Sequence, residues 1–199
     1  MRYGLTSSQG KNRNDFTHRA LIRMSNAERY TRVAIILHWL IALGVLAQIS
    51  FGWWMIDIPK IPVGVRAYWF NIHKSIGITL GMLILLRVVW RYTHGAPPLP
   101  AHIPHWQRLA AKASHYGLYA CMIIMPLTGY LGSSFTKYPI KYFGFTLPHW
   151  GWDAPVYKEI CSQVHYITVI VFMTLIALHF AAAVKHMLAR DGVIRRMWR

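Results

Sequence analysis

Four long apolar stretches, separated by polar or proline-rich breaks, set the pattern of this chain. They run roughly over residues 33–56, 68–90, 109–135 and 160–187. Each exceeds the roughly 20 residues an α-helix needs to cross the hydrocarbon of a bilayer. "DIPKIPVG" closes the first stretch with two prolines, and "RYTHGAPPLP" closes the second. Pro126 lies inside the third, where it removes a backbone donor and predicts a kink. Between the third and fourth stretches lies the aromatic segment "KYPIKYFGFTLPHWGWDAPVYK", which reads as a lid in the membrane interface. The pattern predicts an all-α membrane protein, a four-helix transmembrane bundle over residues 31–190. A polar, basic and mobile tail (1–30) is expected before it, and a basic end (191–199) after it.

Composition supports this reading. Hydrophobic residues make up 55% of the 199 positions and charged residues 14%, against about 25% charged in a soluble domain. The formal net charge of +16 would suggest nucleic acid in a soluble protein, but here its placement matters more. Sixteen of the 22 lysines and arginines fall in the N-terminal tail, around the second break, or at the C-terminal end. Four crossings put those three regions on one side, and the positive-inside rule makes that side cytoplasmic, with both termini. The basic balance therefore reflects topology and attraction to anionic lipid, with no nucleic-acid partner. Cys121 and Cys161 lie in different spans, and no CxxCH motif for covalent haem attachment occurs. P-loop, GxSxG, HExxH and Rossmann patterns are absent as well.

The chemistry lies in the histidines. Five of the eleven, His38, His73, His115, His165 and His179, fall within the spans. Ionisable groups there are costly, so each is a functional candidate. His165 and His179 share one span, fourteen residues apart. At about 100° and 1.5 Å per residue they face nearly the same way, about 21 Å apart along the axis. They cannot share one metal ion, but they can each hold a group near opposite membrane faces. Depth pairs His73 with His165 towards the outer face. Towards the inner face His179 can pair with His38, with His115 at comparable depth. Two histidines from facing helices suit a six-coordinate haem iron. A single buried histidine is more often a hydrogen-bonding group between helices. Zinc wants four ligands and a proton relay usually recruits carboxylates, yet no acidic residue lies within the spans. The two-depth arrangement fits two non-covalent haem b groups. Gly44, Gly77, Gly81, Gly117, Gly129 and Gly132 could make room for them, although Gly77 and Gly81 also form a helix-packing GxxxG. Arg87 and Arg91 are candidate propionate partners at the inner haem. Lys74, Lys137 and Lys141 are candidates for the same role, or for a cationic rim, at the outer one, although each alone also reads as a charge at the membrane edge.

The stretches "RYTRVAIILHWLIALGVL", "NIHKSIGITLGMLILLRVVWRYTHGAPP", "SHYGLYACMIIMPLTGYLGS" and "CSQVHYITVIVFMTLIALHFAAAVKHM" resemble the bacterial cytochrome b561 family, over about residues 29–187. The resemblance implies a bacterial inner-membrane, four-helix cytochrome with two b haems. It implies His38 and His179 as ligands of the inner haem and His73 and His165 of the outer one, and a quinone-site or supporting role for His115. One branch of the family oxidises superoxide and reduces ubiquinone; others anchor a dehydrogenase or hydrogenase and shuttle its electrons. The first activity would use Lys74, Lys137 and Lys141 to concentrate superoxide by field focusing and His115 as a proton donor to quinone. The second would need a redox partner protein. A haem or metal transporter or sensor is the reading from another class.

Overall fold

The computed structural model describes residues 29–62, 64–100 and 102–198. The expected mobile tail lies outside these, except for its last two residues. Four long helices dominate: α1 (Arg32–Ile56), α2 (Val65–His94), α3 (His105–Ser134) and α4 (Pro155–Ala189). Thr31 caps α1, its hydroxyl accepting from the Ala34 N–H at 3.3 Å. The same hydroxyl receives the Trp90 indole N–H at 2.8 Å, tying the start of α1 to the end of α2. At the other end Arg66 donates to the carbonyls of Ile56 and Ile58, so this cation closes the C-terminal end of α1.

By length and composition α1, α2 and α4 can each cross a membrane. Their large apolar side chains point outward: Ile36, Leu43, Leu85, Leu178 and Phe180 are all well exposed, as lipid-facing residues must be. The third helix does not reach the same apolar standard, because Arg108, Lys112, Ser114 and His115 interrupt its first half. It nevertheless runs antiparallel along α4. His115 meets His179 near one end, and Thr128 meets His165 near the other. Pro126 is accommodated without ending the helix and packs towards Gly81 of α2.

The fold departs from all-α in one place. The aromatic segment after α3 forms a two-stranded hairpin, β1 (Ile140–Tyr142) and β2 (Phe145–Leu147). Its two turn residues, Phe143 and Gly144, have φ of 46° and 98°, the positive pair required by the tight turn that best matches strand twist. The hairpin is held against α2. Buried Ser75 accepts from the Phe143 N–H at 2.9 Å, and its hydroxyl lies 3.2 Å from the Lys141 carbonyl. Thr79 meets the Tyr142 hydroxyl at 3.2 Å. Ile140, 1% exposed, fills the space beneath. The segment expected as a lid is thus an ordered hairpin held against α2.

The core is a thin layer at mid-height. Leu37, Ile41 and Val45 form one face of α1 at helical spacing, and Leu80, Ile84, Cys121 and Phe172 complete it from the other three helices. Phe172 stands seven residues from both His165 and His179. An apolar layer therefore separates the two ends of the bundle.

Candidate functional site

The histidines assemble in two tiers, one at each end of that layer. At the hairpin end are His73 of α2 and His165 of α4, within electrostatic reach of each other. Thr128 fixes the His165 ring by a 3.1 Å contact to Nδ1 and itself bonds back to the Ile124 carbonyl. His73 Nδ1 is buried without a hydrogen-bond partner, an arrangement that costs free energy unless something else occupies the site. Two glycines cradle these rings. A Cβ at Gly52 would lie 3.2 Å from His73 Cε1, and one at Gly129 would lie 3.5 Å from His165 Cε1. Gln48 grips the same turn of α2, its amide donating to the His73 carbonyl at 2.6 Å, while its own Oε1 is buried and unpartnered. Phe51 lies beside His73, with ring centroids 5.9 Å apart.

At the opposite, arginine-rich end, three imidazoles converge. The His179 ring lies 6.3 Å from that of His38 and 5.5 Å from that of His115, centroid to centroid. Arg87 is within electrostatic reach of all three. It donates one nitrogen to the Ala34 carbonyl at 2.9 Å, which clamps α2 to α1 one turn before His38. Arg91 is within reach of His115 and packs over the Tyr30 ring at 5.3 Å. Ser114, next to His115, has a buried hydroxyl with no hydrogen-bond partner among the described residues. His115 is exposed, whereas His38 and His179 are partly buried.

These residues fit haem better than a bare ion. No group of three or more His, Cys, Asp or Glu side chains among the described residues is arranged to hold a metal ion. A flat group held between paired imidazoles could use what the hairpin end offers: two imidazoles within electrostatic reach of each other, a glycine beside each, and buried polar atoms without a hydrogen-bond partner among the described residues. The expected room-making glycines divide differently. Gly44 abuts Leu80, Gly77 Gln48, Gly81 Pro126, Gly117 Leu175 and Gly132 Cys161, so these serve close helix packing. Only Gly129 of that set touches an imidazole. Gly52, which carries no distinguishing sequence signal, does too.

The rim cations are unequal. Lys74 adjoins His73, is partly buried, and has no acidic or hydrogen-bonding partner among the described residues. Lys141 is exposed on β1, whose backbone Ser75 holds. Lys137 is exposed and packs over Tyr138 at 5.7 Å. Lys158 pairs with Glu159 at 3.5 Å on the surface.

The family model described as prokaryotic cytochrome b561 matches residues 29–199. Cytochrome b561 homolog 2 of Escherichia coli (strain K12) is 33% identical over 177 residues, covering 85% of this chain and 91% of that protein. The probable superoxide oxidase CybB of Yersinia pestis is 25% identical over 178 residues, covering 85% and 96% respectively.

Proposed function

Because the chain belongs to the prokaryotic cytochrome b561 family, a family of haem b electron-transfer membrane proteins, we propose that it is an inner-membrane cytochrome with two b haems that oxidises superoxide at the hairpin end and reduces ubiquinone. The observation that carries this reading is the two-tier arrangement of imidazoles across an apolar layer. His73 and His165 would hold one haem, and His38 and His179 the other. Arg87 and Arg91 are placed to meet the propionates of the second. Haem iron supplies reversible one-electron chemistry. The exchange balances when two superoxide anions give two molecules of dioxygen, and one quinone with two protons gives one quinol.

The chain's own residues set the conditions for that exchange. Lys74, with no partner among the described residues, presents its charge beside His73, and Lys141 on the hairpin and Lys137 just before it extend the positive field outward. A cationic rim over a low-dielectric site concentrates a small anion and raises its on-rate. The hairpin shields the His73 side of the bundle from water through Ser75 and Ile140. At the arginine-rich end the exposed imidazole of His115 is the group available to hold or pass a proton to quinone. That requires α3 to cross the membrane with the other three helices. Its full-length antiparallel run beside α4, which is apolar enough to cross, supports this. With four crossings both termini lie on the arginine-rich, cytoplasmic side.

The similarity to a protein named probable superoxide oxidase favours superoxide as the electron donor. Purified protein mixed with ubiquinone and a superoxide source should form quinol well above a no-protein control. Quinol formation at the control rate, with a redox protein co-purifying in fixed ratio, would move the chain to the partner-anchoring branch.

A further inference from the structure

Beyond both imidazole tiers, at the arginine-rich end, a cavity of about 260 Å³ opens between the start of α1, the end of α2 and Tyr119 of α3. None of the five intramembrane histidines lines it. Its charged lining is Arg29, Arg87 and Arg91, with no acidic residue. The walls are firmly built. Thr31 is held by Trp90, and Trp90 stacks on His94 with centroids 3.9 Å apart and planes 7° from parallel. Arg87 commits one nitrogen to the Ala34 carbonyl, and no other hydrogen-bond partner occurs for it among the described residues. Three guanidiniums line one space with no acidic residue among its described lining. Arg87 and Arg91 also face the inner haem site, so Arg29 is the one left for a further anion, and its forked donors match the oxygens of a phosphate group.

The position of the cavity narrows the source of that phosphate. It lies where two membrane helices end, at headgroup depth, on the side that charge asymmetry gives to the anionic leaflet. Val33, Ile36, Leu86 and Val89, on the adjoining turns of α1 and α2, are 39%, 64%, 50% and 59% exposed. They form an apolar surface on which acyl chains can lie. We propose that this cavity binds the phosphate of an anionic phospholipid, its tails lying on that surface. A zwitterionic headgroup offers the same phosphate but adds a cation that three arginines repel. Free phosphate lacks the tails.

The test uses full-length purified protein stripped of lipid in a neutral detergent, with thermal unfolding and native mass spectrometry as readouts. Phosphatidylglycerol should be retained and raise the unfolding midpoint by several degrees, whereas phosphatidylcholine and inorganic phosphate should not. Arg29→Gln should weaken phosphatidylglycerol binding about tenfold, as expected on losing a charge-assisted contact, with haem content unchanged. Arg29→Lys should recover much of the affinity. Equal responses to the two lipids, or unaltered affinity in Arg29→Gln, would overturn the proposal. A matching response to inorganic phosphate would overturn the lipid as source, and loss of haem in Arg29→Gln would return the cavity to the haem site.

Discussion

The two ends of the bundle solve one problem with different degrees of commitment. At the hairpin end two imidazoles lie within electrostatic reach of each other, each beside a glycine, with Thr128 on one ring and a β-hairpin held against the helix. At the arginine-rich end three imidazoles share the space, guanidiniums lie nearby and a cavity opens to one side. The first end is built around two rings and has none to spare. The second has one histidine more than a bis-histidine site uses, and that histidine is the exposed one. On the proposed function, electrons entering from a small anion need only a closed site beside a cationic rim, whereas protons arriving for quinone need a spare titratable group such as His115.

The largest effect is expected from breaking the committed end. His73→Ala and His165→Ala should each lower the haem-to-protein ratio from two to one, and the double variant should lose no more than either alone. Haem quantitation after purification checks this, and additive losses would show that the two residues do not share a group. Gly52→Leu should act on the same haem without touching a ligand. Its side chain must enter space that the His73 ring fills, an overpacking cost of about 1–3 kcal/mol. Occupancy at the hairpin end should fall while the spectrum of the other haem is retained.

A smaller effect tests the rim. Lys74→Gln should slow superoxide oxidation about two- to tenfold and flatten its dependence on ionic strength, because a focusing charge acts through a field that salt screens. Stopped-flow rates across a salt series would measure both. An unchanged salt slope would mean that Lys74 does not steer.

The smallest effect concerns the C-terminal segment beneath the arginine-rich end. There the Trp39 indole donates to the Met197 carbonyl, and Trp198 packs on Trp39, beside His38. Asp191 anchors this return through His186 and the Val193 N–H. Burial pushes the Asp191 carboxyl up, but these bonds outweigh it and hold it below its ordinary value of 3.8. A depressed carboxylate contributes stability that is present above the ordinary value and lost as pH falls through the depressed one. Trp fluorescence should therefore report loosening of this segment only below about pH 4, and Asp191→Asn should remove the transition.

Much of this was legible in the sequence, for identifiable reasons. Helix positions follow from apolar length, and α1 begins within one residue of its expected start because Thr31 caps it. The other helices extend past the apolar limits by a turn or so at most ends, since their polar ends stay helical outside the hydrocarbon. The two tiers follow from the fourteen-residue spacing of His165 and His179, because helical rotation is fixed. The hairpin was not legible. Its turn uses Phe143 before Gly144, outside the usual Asn-Gly or Asp-Gly signal. Gln48 and Gly52 were invisible because their roles depend on which face of α1 meets His73, and α1 is apolar nearly all round. The competition between His38 and His115 could not be resolved by depth, and the structure places both rings close to His179.

That competition is where the account is most exposed. The most direct test is haem content together with the reduced-minus-oxidised spectrum in His179→Ala and His115→Ala. His179→Ala should keep one haem, and His115→Ala should keep two with unshifted bands. If His115→Ala loses a haem while His179→Ala retains both, the pairing of His38 with His179 is wrong.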